Sequence, residues 1–375
     1  MMVRKISIYH FAPLEYFPPA QNMVSALGNQ LGTGDRVVVY TTMPKQGDEL
    51  FDITDRKVKI VRTGKFSLGL SFYERYSTYL MFYLKSFLGT LIFRPGKLFY
   101  YETISSLTPI FYKRLIGDRA ELYIHYHEYM TPKEYNATFL NRTLLNLEKI
   151  IYRKASWISH TNEDRLKLFC DDMGYTGTNN IFVLPNYPPA TWNVPEKTPR
   201  VGGLLKLVYV GSFGSLETIY IKEIIEWVSK NAERVCLDVY SNNITDQVRE
   251  WIDLQPRKGL NIRGNVPYKK LPDILPSYDI GLILYKGANA NFIYNAPNKL
   301  FEYQGCGLEV WYPKEMLGID RYACQSLHPA VIRCDFSALD DSLITQYGSR
   351  AAFPKREISY KFEEIAAPLL RKLSN

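Results

Sequence analysis

Short apolar runs alternate with amphipathic stretches along the first half of the chain. Runs rich in β-branched and aromatic residues predict strands, and stretches with apolar residues at helical spacing predict helices. The predicted strands of this half cover residues 5–10, 36–41, 58–62, 97–101, 122–126, 157–160 and 181–184, and the predicted helices cover residues 20–31 and 141–154. Such alternation predicts a parallel sheet that helices cover on both faces.

A proline-rich interval follows this first alternating set. Five prolines and two glycines crowd residues 185–203. No regular element is expected through such a run, because proline lacks a backbone N–H and restricts its own backbone and that of the preceding residue. We therefore predict a first domain over residues 1–186 and a linker over residues 187–204.

A second alternating set predicts a second domain over residues 205–350. Its predicted strands cover residues 205–210, 236–240, 260–263, 280–285 and 308–312, and its predicted helices cover residues 217–231, 246–254 and 268–276, with one more beginning near Asn298. The tail, residues 351–375, is predicted to be helical over residues 357–373 and to cross back to the first domain. The predicted fold class is α/β, with two Rossmann-like doubly wound domains that face a cleft and bind ligands at the carboxyl ends of their strands.

The most informative segment is NAPNKLFEYQGCG at residues 295–307. Pro297 suits the first position of a helix, and Asn298 and Glu302 then share one helical face. The free N–H groups at a helix start attract phosphate, Lys299 adds a cation, and Glu302 offers two acceptor oxygens. This arrangement suits the diphosphate and the ribose hydroxyls of a nucleotide-sugar.

The net charge and the cysteine content indicate which binding partners and which cellular compartment to expect. The formal net charge of +8 favours acidic partners such as nucleotide phosphates or an anionic membrane surface. The basic residues are spread along the chain, which argues against nucleic acid. The five scattered cysteines have no metal-ligand spacing and indicate reduced thiols in the cytoplasm. The start of the chain runs directly into a strand pattern, so no signal peptide is expected.

An aromatic stretch at residues 79–93 has two interpretations. Lys85 and Ser86 interrupt it, and it is too short to cross a bilayer. It fits a core helix of the first domain, and its mixture of tyrosine, phenylalanine, leucine, lysine and arginine also fits an interfacial helix on anionic lipid.

The segments PNKLFE at residues 297–302 and GCG at residues 305–307 resemble the donor-site motif of the group 1, family four-like glycosyltransferases of the GT-B fold. Weaker resemblances follow in the expected order at residues 123–128, 183–186, 205–211 and 264–279. The resemblance implies a first domain that binds the acceptor and a second that binds the nucleotide-sugar. It also implies retention of anomeric configuration, no metal and no cofactor other than the donor substrate.

The resemblance also implies roles for individual residues. Lys299 would contact the diphosphate, Glu302 the ribose, and His127 would lie beside the transferred sugar. The predicted catalytic residues are thus His127, Lys299 and Glu302. The predicted donor-binding residues are Gly211, Gly214, Asn265, Val266, Lys286, Asn298, Lys299 and Glu302.

Three positions depart from the family pattern. Tyr294 stands where the family often has glutamate, Glu309 where it usually has proline, and the turn at residues 211–215 lacks the usual arginine and lysine. The predicted function is sugar transfer from a nucleotide-sugar to a glycan or lipid-linked acceptor in surface polysaccharide synthesis, in the cytoplasm and peripherally at the membrane. The alternatives are a nucleotide-sugar 2-epimerase of the same fold and a non-catalytic sugar-nucleotide binding protein.

Overall fold

The computed structural model describes residues 3–53, 55–66, 71–192, 202–241, 243–350 and 353–375. The chain divides into two compact units. Unit 1 comprises Met1–Pro185 with Phe362–Asn375, and unit 2 comprises Asn186–Lys361. Residues 193–201 of the predicted linker, and residues 351 and 352 at the predicted start of the tail, lie outside the described residues.

Unit 1 is built on a parallel sheet, whose seven described strands lie in the order β3-β2-β1-β4-β5-β6-β7. The strands are nearly continuous apolar runs because helices cover both faces of such a sheet. The strand order reverses between β1 and β4, which are direct neighbours. The strands are β1 (Lys5–His10), β2 (Arg36–Met43), β3 (Val58–Lys65), β4 (Lys97–Tyr101), β5 (Glu121–Tyr126), β6 (Trp157–His160) and β7 (Ile181–Val183).

Helices connect these strands. They are α1 (Pro18–Gln30), α2 (Phe72–Phe93), α3 (Leu107–Ile116), α4 (Pro132–Asn136), α5 (Phe139–Ile151) and α6 (Glu163–Met173), with 3-10 turns at Leu14–Tyr16, Thr103–Ser105, Gly117–Arg119 and Tyr152–Lys154. Helix α2 begins earlier than its apolar pattern predicts, because Ser71 and Glu74 form a capping box. No helix in the described part of the chain is long and apolar enough to cross a membrane.

Unit 2 repeats this design with six described parallel strands in the order β10-β9-β8-β11-β12-β13. The strands are β8 (Leu205–Val210), β9 (Val235–Tyr240), β10 (Leu260–Gly264), β11 (Ile280–Leu282), β12 (Glu309–Pro313) and β13 (Val331–Cys334). The helices are α7 (Ile221–Lys230), α8 (Asp246–Asp253), α9 (Leu271–Ile274), α10 (Ala290–Ile293), α11 (Asn298–Gly305) and α12 (Ser342–Arg350), with 3-10 turns at Tyr268–Lys270, Leu275–Ser277, Leu317–Tyr322 and Phe336–Ala338.

The chain ends with two short helices that belong to unit 1, α13 (Phe362–Ile365) and α14 (Ala367–Ser374). Helix α14 packs against α1, and its Lys372 carbonyl accepts a hydrogen bond from Lys97 Nζ. The uninterrupted helix predicted over residues 357–373 is therefore wrong in its first residues. Residues 357–361 have no helix, and Ala366 separates the two helices that follow.

The predicted fold class, with two doubly wound α/β domains, is confirmed, and most strands lie within two residues of their predicted bounds. The stretch predicted as one helix over residues 268–276 is helical, but it consists of three short segments rather than one regular helix, because Pro272 and Pro276 lack the backbone N–H of a continuous helix. Helix α6 escaped prediction because its apolar stripe is weak, and its buried residues are Arg165 and Phe169. Strand β13, which has four residues with Arg333 exposed among buried neighbours, was not predicted.

Candidate functional site

The predicted donor-binding residues of unit 2 follow strands at one edge of its sheet. All strands of this sheet are parallel, so the loops that leave their carboxyl ends share an edge. Gly211 follows β8, Asn265 and Val266 follow β10, and Lys286 lies beyond β11. The strand order reverses between β8 and β11, and doubly wound sheets bind ligands outside the strand ends at such a reversal.

Helix α11 is fixed at this edge by Tyr303. Its hydroxyl oxygen accepts a hydrogen bond from the backbone N–H of Val210, the last residue of β8, at 2.9 Å. Its ring lies against Gly281 of β11, where an added Cβ would come within 2.2 Å of the ring atoms. Pro297 caps the helix rather than occupying its first position as predicted. The second half of the helix is thus held against β8 and β11.

The first turn of α11 brings three predicted site residues together. Asn298 Nδ2 donates to Glu302 Oε1 at 2.5 Å, and Lys299 Nζ lies 3.5 Å from Glu302 Oε2. The Glu302 side chain is 1% exposed, whereas that of Lys299 is 20% exposed. The Glu302 carboxylate therefore holds the Asn298 amide and the Lys299 ammonium in place. The ammonium has three N–H donors, so it can still donate hydrogen bonds to an anion. A ribose hydroxyl at Glu302 Oε1 would take the place of the Asn298 amide.

The turn after β8 holds the two predicted glycines. Phe213 donates its backbone N–H to the Asn243 carbonyl at 2.8 Å, which ties the turn to the loop after β9. An added Cβ at Gly211 would lie 3.0 Å from the Tyr209 hydroxyl, and one at Gly214 would lie 3.0 Å from Ser212 Oγ. Side chains of β8 and of the turn therefore favour glycine at the two positions. Close approach of a diphosphate to this turn stays a prediction.

Lys286 already has protein partners in this structure. Its Nζ lies 2.7 Å from Glu223 Oε1 and donates to the Leu216 carbonyl at 3.1 Å. These contacts join the segments that follow β8 and β11. A contact between Lys286 and a donor diphosphate stays a prediction, and it would require the ammonium to leave Glu223.

The two residues predicted to meet the nucleotide base differ in exposure. Asn265 is exposed, whereas Val266 is half-buried and packs against a buried apolar cluster that includes Leu271 and Tyr278. Both lie beside the carboxyl end of β10, at the same edge as Gly211. Their contact with a base stays a prediction.

Glu309, which stands where the family usually has proline, is a core residue. It lies at the start of β12, fully buried, and accepts hydrogen bonds from Arg350 Nε at 2.9 Å and Trp311 Nε1 at 2.7 Å. The guanidinium of Arg350 makes a second contact with the same carboxylate. The unusual glutamate therefore anchors α12 to the sheet.

His127 belongs to an aromatic cluster at the carboxyl edge of unit 1. It follows β5, and its ring stacks on Tyr101 at a centroid distance of 4.8 Å. Phe17 lies 5.8 Å from the same ring and His10 lies 5.9 Å from it. His10 and Tyr101 end β1 and β4, the two strands between which the order reverses. The cluster therefore occupies the position at which a doubly wound sheet binds a ligand.

His10 is neutral and presents one basic ring nitrogen. Burial lowers the pKa of His10 to about 4. Its Nδ1 lies 2.5 Å from the Ala12 carbonyl, so Nδ1 carries the proton and Nε2 is an acceptor. Nε2 is buried and has no hydrogen-bond partner within the described part of the chain. This nitrogen can accept a hydrogen bond from a hydroxyl group.

Glu102 is a functional candidate that the sequence reasoning missed. It follows β4 with φ of 60°, a backbone conformation that side-chain-bearing residues rarely adopt. Its Oε1 accepts the backbone N–H of His127 at 2.6 Å and that of Glu128 at 3.1 Å. Burial, followed by the charge of Glu128, raises the pKa of Glu102 to about 8. The available signal was its position directly after a predicted strand, as for His127.

Comparisons with known proteins identify the fold. Neither a model of a known protein family nor a curated protein sequence matches this chain. Solved structures match over nearly its whole length. Sucrose-phosphate synthase from Thermosynechococcus elongatus has 15% identity, 99% coverage of both chains and a TM-score of 0.61. Anabaena HepE in complex with UDP-glucose has 12% identity, 99% coverage of both chains and a TM-score of 0.63.

The chain has the GT-B fold. This fold also includes the UDP-GlcNAc 2-epimerase from Methanocaldococcus jannaschii, which matches with 12% identity, 98% coverage of this chain, 99% of the other and a TM-score of 0.58. Transferases and epimerases thus share the architecture. Because one fold hosts different reactions, function has to be argued from the site residues.

Proposed function

We propose that this protein is a glycosyltransferase that moves a sugar from a nucleotide-diphosphate sugar to a glycan or lipid-linked acceptor. The proposal includes retention of anomeric configuration, independence from metal, and a role in surface polysaccharide synthesis at the cytoplasmic face of the membrane. Its main support is the first turn of α11, where Asn298 and Lys299 converge on the buried carboxylate of Glu302.

The chemistry of this turn fits a departing diphosphate. Cleavage of the sugar–phosphate bond leaves negative charge on the diphosphate, and the acceptor oxygen forms the new bond to the anomeric carbon. The acceptor proton leaves with the diphosphate. The Lys299 ammonium and the free N–H groups at the helix start would stabilise that anion, and one such donor contributes about 2.7–4 kcal/mol in a transition state.

The acceptor would bind at unit 1. His10 Nε2 and the Glu102 carboxyl group supply hydrogen-bond acceptors for a sugar hydroxyl, and the rings of Phe17, Tyr101 and His127 supply apolar faces. Pockets of this composition, apolar with a few convergent polar groups, are typical of small-molecule sites.

The donor is expected to carry a nucleoside diphosphate, and uridine is the first base to test. Anabaena HepE was solved with UDP-glucose and also with UDP and glucose. A thermal-shift panel with UDP, GDP, ADP and CMP tests this part of the proposal, because a ligand of the folded state raises apparent stability by mass action. We expect one diphosphate to raise Tm and CMP to have a smaller effect. No shift with any of the four nucleotides would contradict a nucleotide site.

Two variants localise that site. Lys299→Ala should reduce the thermal shift given by the diphosphate, because it removes the ammonium beside Glu302. Lys258→Ala, at an exposed position on the same unit, is the matched control and should keep the shift. Equal loss in both variants would remove Lys299 from the site.

An epimerase is the second candidate, because two UDP-GlcNAc 2-epimerase structures, one of them a putative enzyme, match this chain at TM-scores of 0.58 and 0.59. Incubation with UDP-GlcNAc alone separates the two reactions, because epimerisation needs no acceptor. Formation of the 2-epimer would favour this candidate. Nucleotide binding without hydrolysis, transfer or epimerisation would identify a non-catalytic binding protein.

A further inference from the structure

Helix α2 has a row of large apolar side chains on its solvent side. Six of them recur every three or four residues and are between 50% and 84% exposed. Residues at this spacing share one side of an α-helix. We call this set the outer stripe; it consists of Tyr73, Tyr76, Leu80, Leu84, Leu88 and Ile92.

The face of α2 that packs on unit 1 combines the buried ring of Phe82 with small and hydroxylated residues. The hydroxyl groups of Ser86 and Thr90 lie 2.7 Å from those of Thr108 and Tyr9. An added Cβ at Gly89 would lie 2.5 Å from a tyrosine hydroxyl of β2. A surface helix of a water-soluble protein normally places its apolar stripe towards the core and keeps its solvent side polar. Helix α2 is apolar on its solvent side as well as on its buried side, which indicates that the outer stripe contacts an apolar phase.

Exposed basic side chains lie on α2 and at its carboxyl end. Arg75 and Lys85 lie on α2 itself and are exposed, as is Arg94 at its carboxyl end. The one acidic residue of α2, Glu74, is engaged in the capping box with Ser71. The exposed surface of α2 is therefore apolar and cationic.

The neighbouring helix α3 continues this character. It packs against α2 and exposes Phe111 and Leu115, which are 46% and 65% exposed, together with Arg114. Two adjacent helices thus present apolar side chains with arginine beside them. A surface of this composition matches the amphipathic helices that lie in the interface of anionic membranes.

We propose that the outer stripe is the surface by which this protein docks on an anionic lipid membrane. The leucine and isoleucine side chains would enter the boundary between head groups and acyl chains, and Arg75, Lys85 and Arg94 would meet the lipid phosphates. Tyr73 and Tyr76 suit the head-group level, where amphipathic rings are enriched. The helix would lie in the plane of the interface.

Charge favours lipid over a second copy of this chain. A symmetric dimer through the outer stripe would place the same patch of both copies together. Arg75, Lys85 and Arg94 of the two copies would then share one interface, and like charges disfavour such a contact. Anionic lipid supplies the opposite charge. This inference uses no donor-site residue, so it stands independently of the proposed transferase activity.

Vesicle co-sedimentation tests the apolar contribution. The wild-type protein should sediment with vesicles of phosphatidylcholine and phosphatidylglycerol, and weakly with phosphatidylcholine alone. Replacing Leu80, Leu84 and Leu88 with serine should lower partitioning by about tenfold or more, because the buried apolar area is lost. Serine at three exposed leucines of unit 2 is the matched control and should leave partitioning unchanged; these are Leu204, Leu254 and Leu317.

A second pair of variants tests the contribution of charge to vesicle binding. The double variant Arg75→Glu with Lys85→Glu should lower partitioning on the anionic vesicles by roughly 10- to 100-fold, since each basic residue near the surface contributes to binding. Glutamate at Lys230 and Lys258, two exposed positions of unit 2, changes the net charge equally and should have a smaller effect. Added salt should weaken wild-type binding.

Three outcomes would overturn the inference. The first is that the serine and glutamate variants of α2 both partition onto vesicles as strongly as the wild-type protein. The second is an equal loss in the unit 2 controls. The third is a dimer in sedimentation equilibrium that the serine variant dissociates, without vesicle binding by the wild type. Circular dichroism and the nucleotide-induced thermal shift verify that each variant is folded. Vesicle binding without any nucleotide shift would count against the proposed function alone.

Discussion

Lys299 Nζ lies 3.5 Å from Oε2 of Glu302, on the same face of the short helix α11. Asn298 holds the other oxygen of that carboxylate through its side-chain amide. The buried carboxylate thereby fixes the direction of the ammonium before any substrate arrives. A charge that is preorganised in this way can stabilise a developing anion without reorganising in the transition state.

Replacement of Lys299 by alanine should lower kcat for donor turnover by about 100- to 1,000-fold, the loss expected for one preorganised donor. Binding of the nucleoside itself should weaken less, because the ammonium acts on the diphosphate. Rates of sugar release from the nucleotide-sugar, measured under single-turnover conditions, give this comparison. Lys258→Ala serves as the control. A Lys299→Ala enzyme with wild-type kcat would exclude Lys299 from the reaction.

The ion pair between Glu309 and Arg350 should affect the stability of the fold rather than the binding of the donor. Both side chains are buried, at 0% and 7% exposure, and the guanidinium meets the carboxylate through two nitrogens. Arg350→Met should cost about 3–5 kcal/mol in the free energy of unfolding, because it leaves a buried carboxylate unpaired.

The companion double variant, Arg350→Met with Glu309→Gln, should recover most of that loss, since no charge then stays buried without its partner and the amide oxygen still accepts the hydrogen bond of Trp311 Nε1. Urea unfolding of the two variants and the wild type measures the difference. The nucleotide-induced thermal shift should survive in the double variant. A double variant as unstable as Arg350→Met would show that packing, and not the pairing of charges, sets the cost.

The backbone architecture was predictable from local pattern, whereas the pairings at the site were not. The start of α11 follows from Pro297 and the end of that helix from nearby glycines, all within one short segment. The contact of Glu102 with the backbone of His127 joins residues 25 positions apart. It exists because β4 and β5 are neighbours in the sheet.

Strand adjacency also explains why the ion pair of Lys286 with Glu223 was not predicted. Its partner Glu223 lies 63 positions away, on the helix that follows β8, and the contact depends on β8 and β11 being adjacent. A lysine after a strand carries no sign in the sequence of which carboxylate will meet it. Strand order, and with it the partners of site residues, is the information that a single sequence does not display.

A buried carboxyl group in unit 1 should make stability depend on pH. Burial raises the pKa of Glu148 to about 7, against a lowering contribution from hydrogen bonds that include one from Thr103 Oγ1 at 2.7 Å. The folded state therefore holds the Glu148 proton more tightly than the unfolded state does. This contribution to stability is fully present below a pH of about 4.5 and is lost as the pH rises through about 7.

Glu148→Gln should remove that dependence, because the amide keeps an acceptor for Thr103 and does not ionise. Urea unfolding at about pH 5 and about pH 8 measures the free energy of unfolding for both proteins. The wild type should lose more stability than the variant over this interval. Glu233→Gln, at an exposed position, should behave as the wild type does. Parallel pH profiles for the wild type and Glu148→Gln would contradict the assignment.

Glu102 should affect transfer to an acceptor more than reaction of the donor with water. Its carboxyl group lies at the strand reversal of unit 1, where it accepts hydrogen bonds from the backbone N–H groups of His127 and Glu128. Glu102→Gln keeps an oxygen for those N–H groups and loses the ionisable oxygen that a hydroxyl would use. Transfer should fall while donor hydrolysis is preserved, and the ratio of glycosylated product to free sugar measures the change.

The pH profile separates this role from a structural one. The pKa of Glu102 is raised to about 8, so the fraction of ionised carboxylate increases as the pH rises through that value. Wild-type transfer should therefore increase over this range relative to hydrolysis, and Glu102→Gln should abolish the increase. Glu128→Gln, the matched control, removes a nearby charge that raises the pKa of Glu102 and should move the increase to lower pH. If the transfer-to-hydrolysis ratio of Glu102→Gln equals that of the wild type at every pH, the role of Glu102 is structural and limited to its hydrogen bond with the His127 backbone.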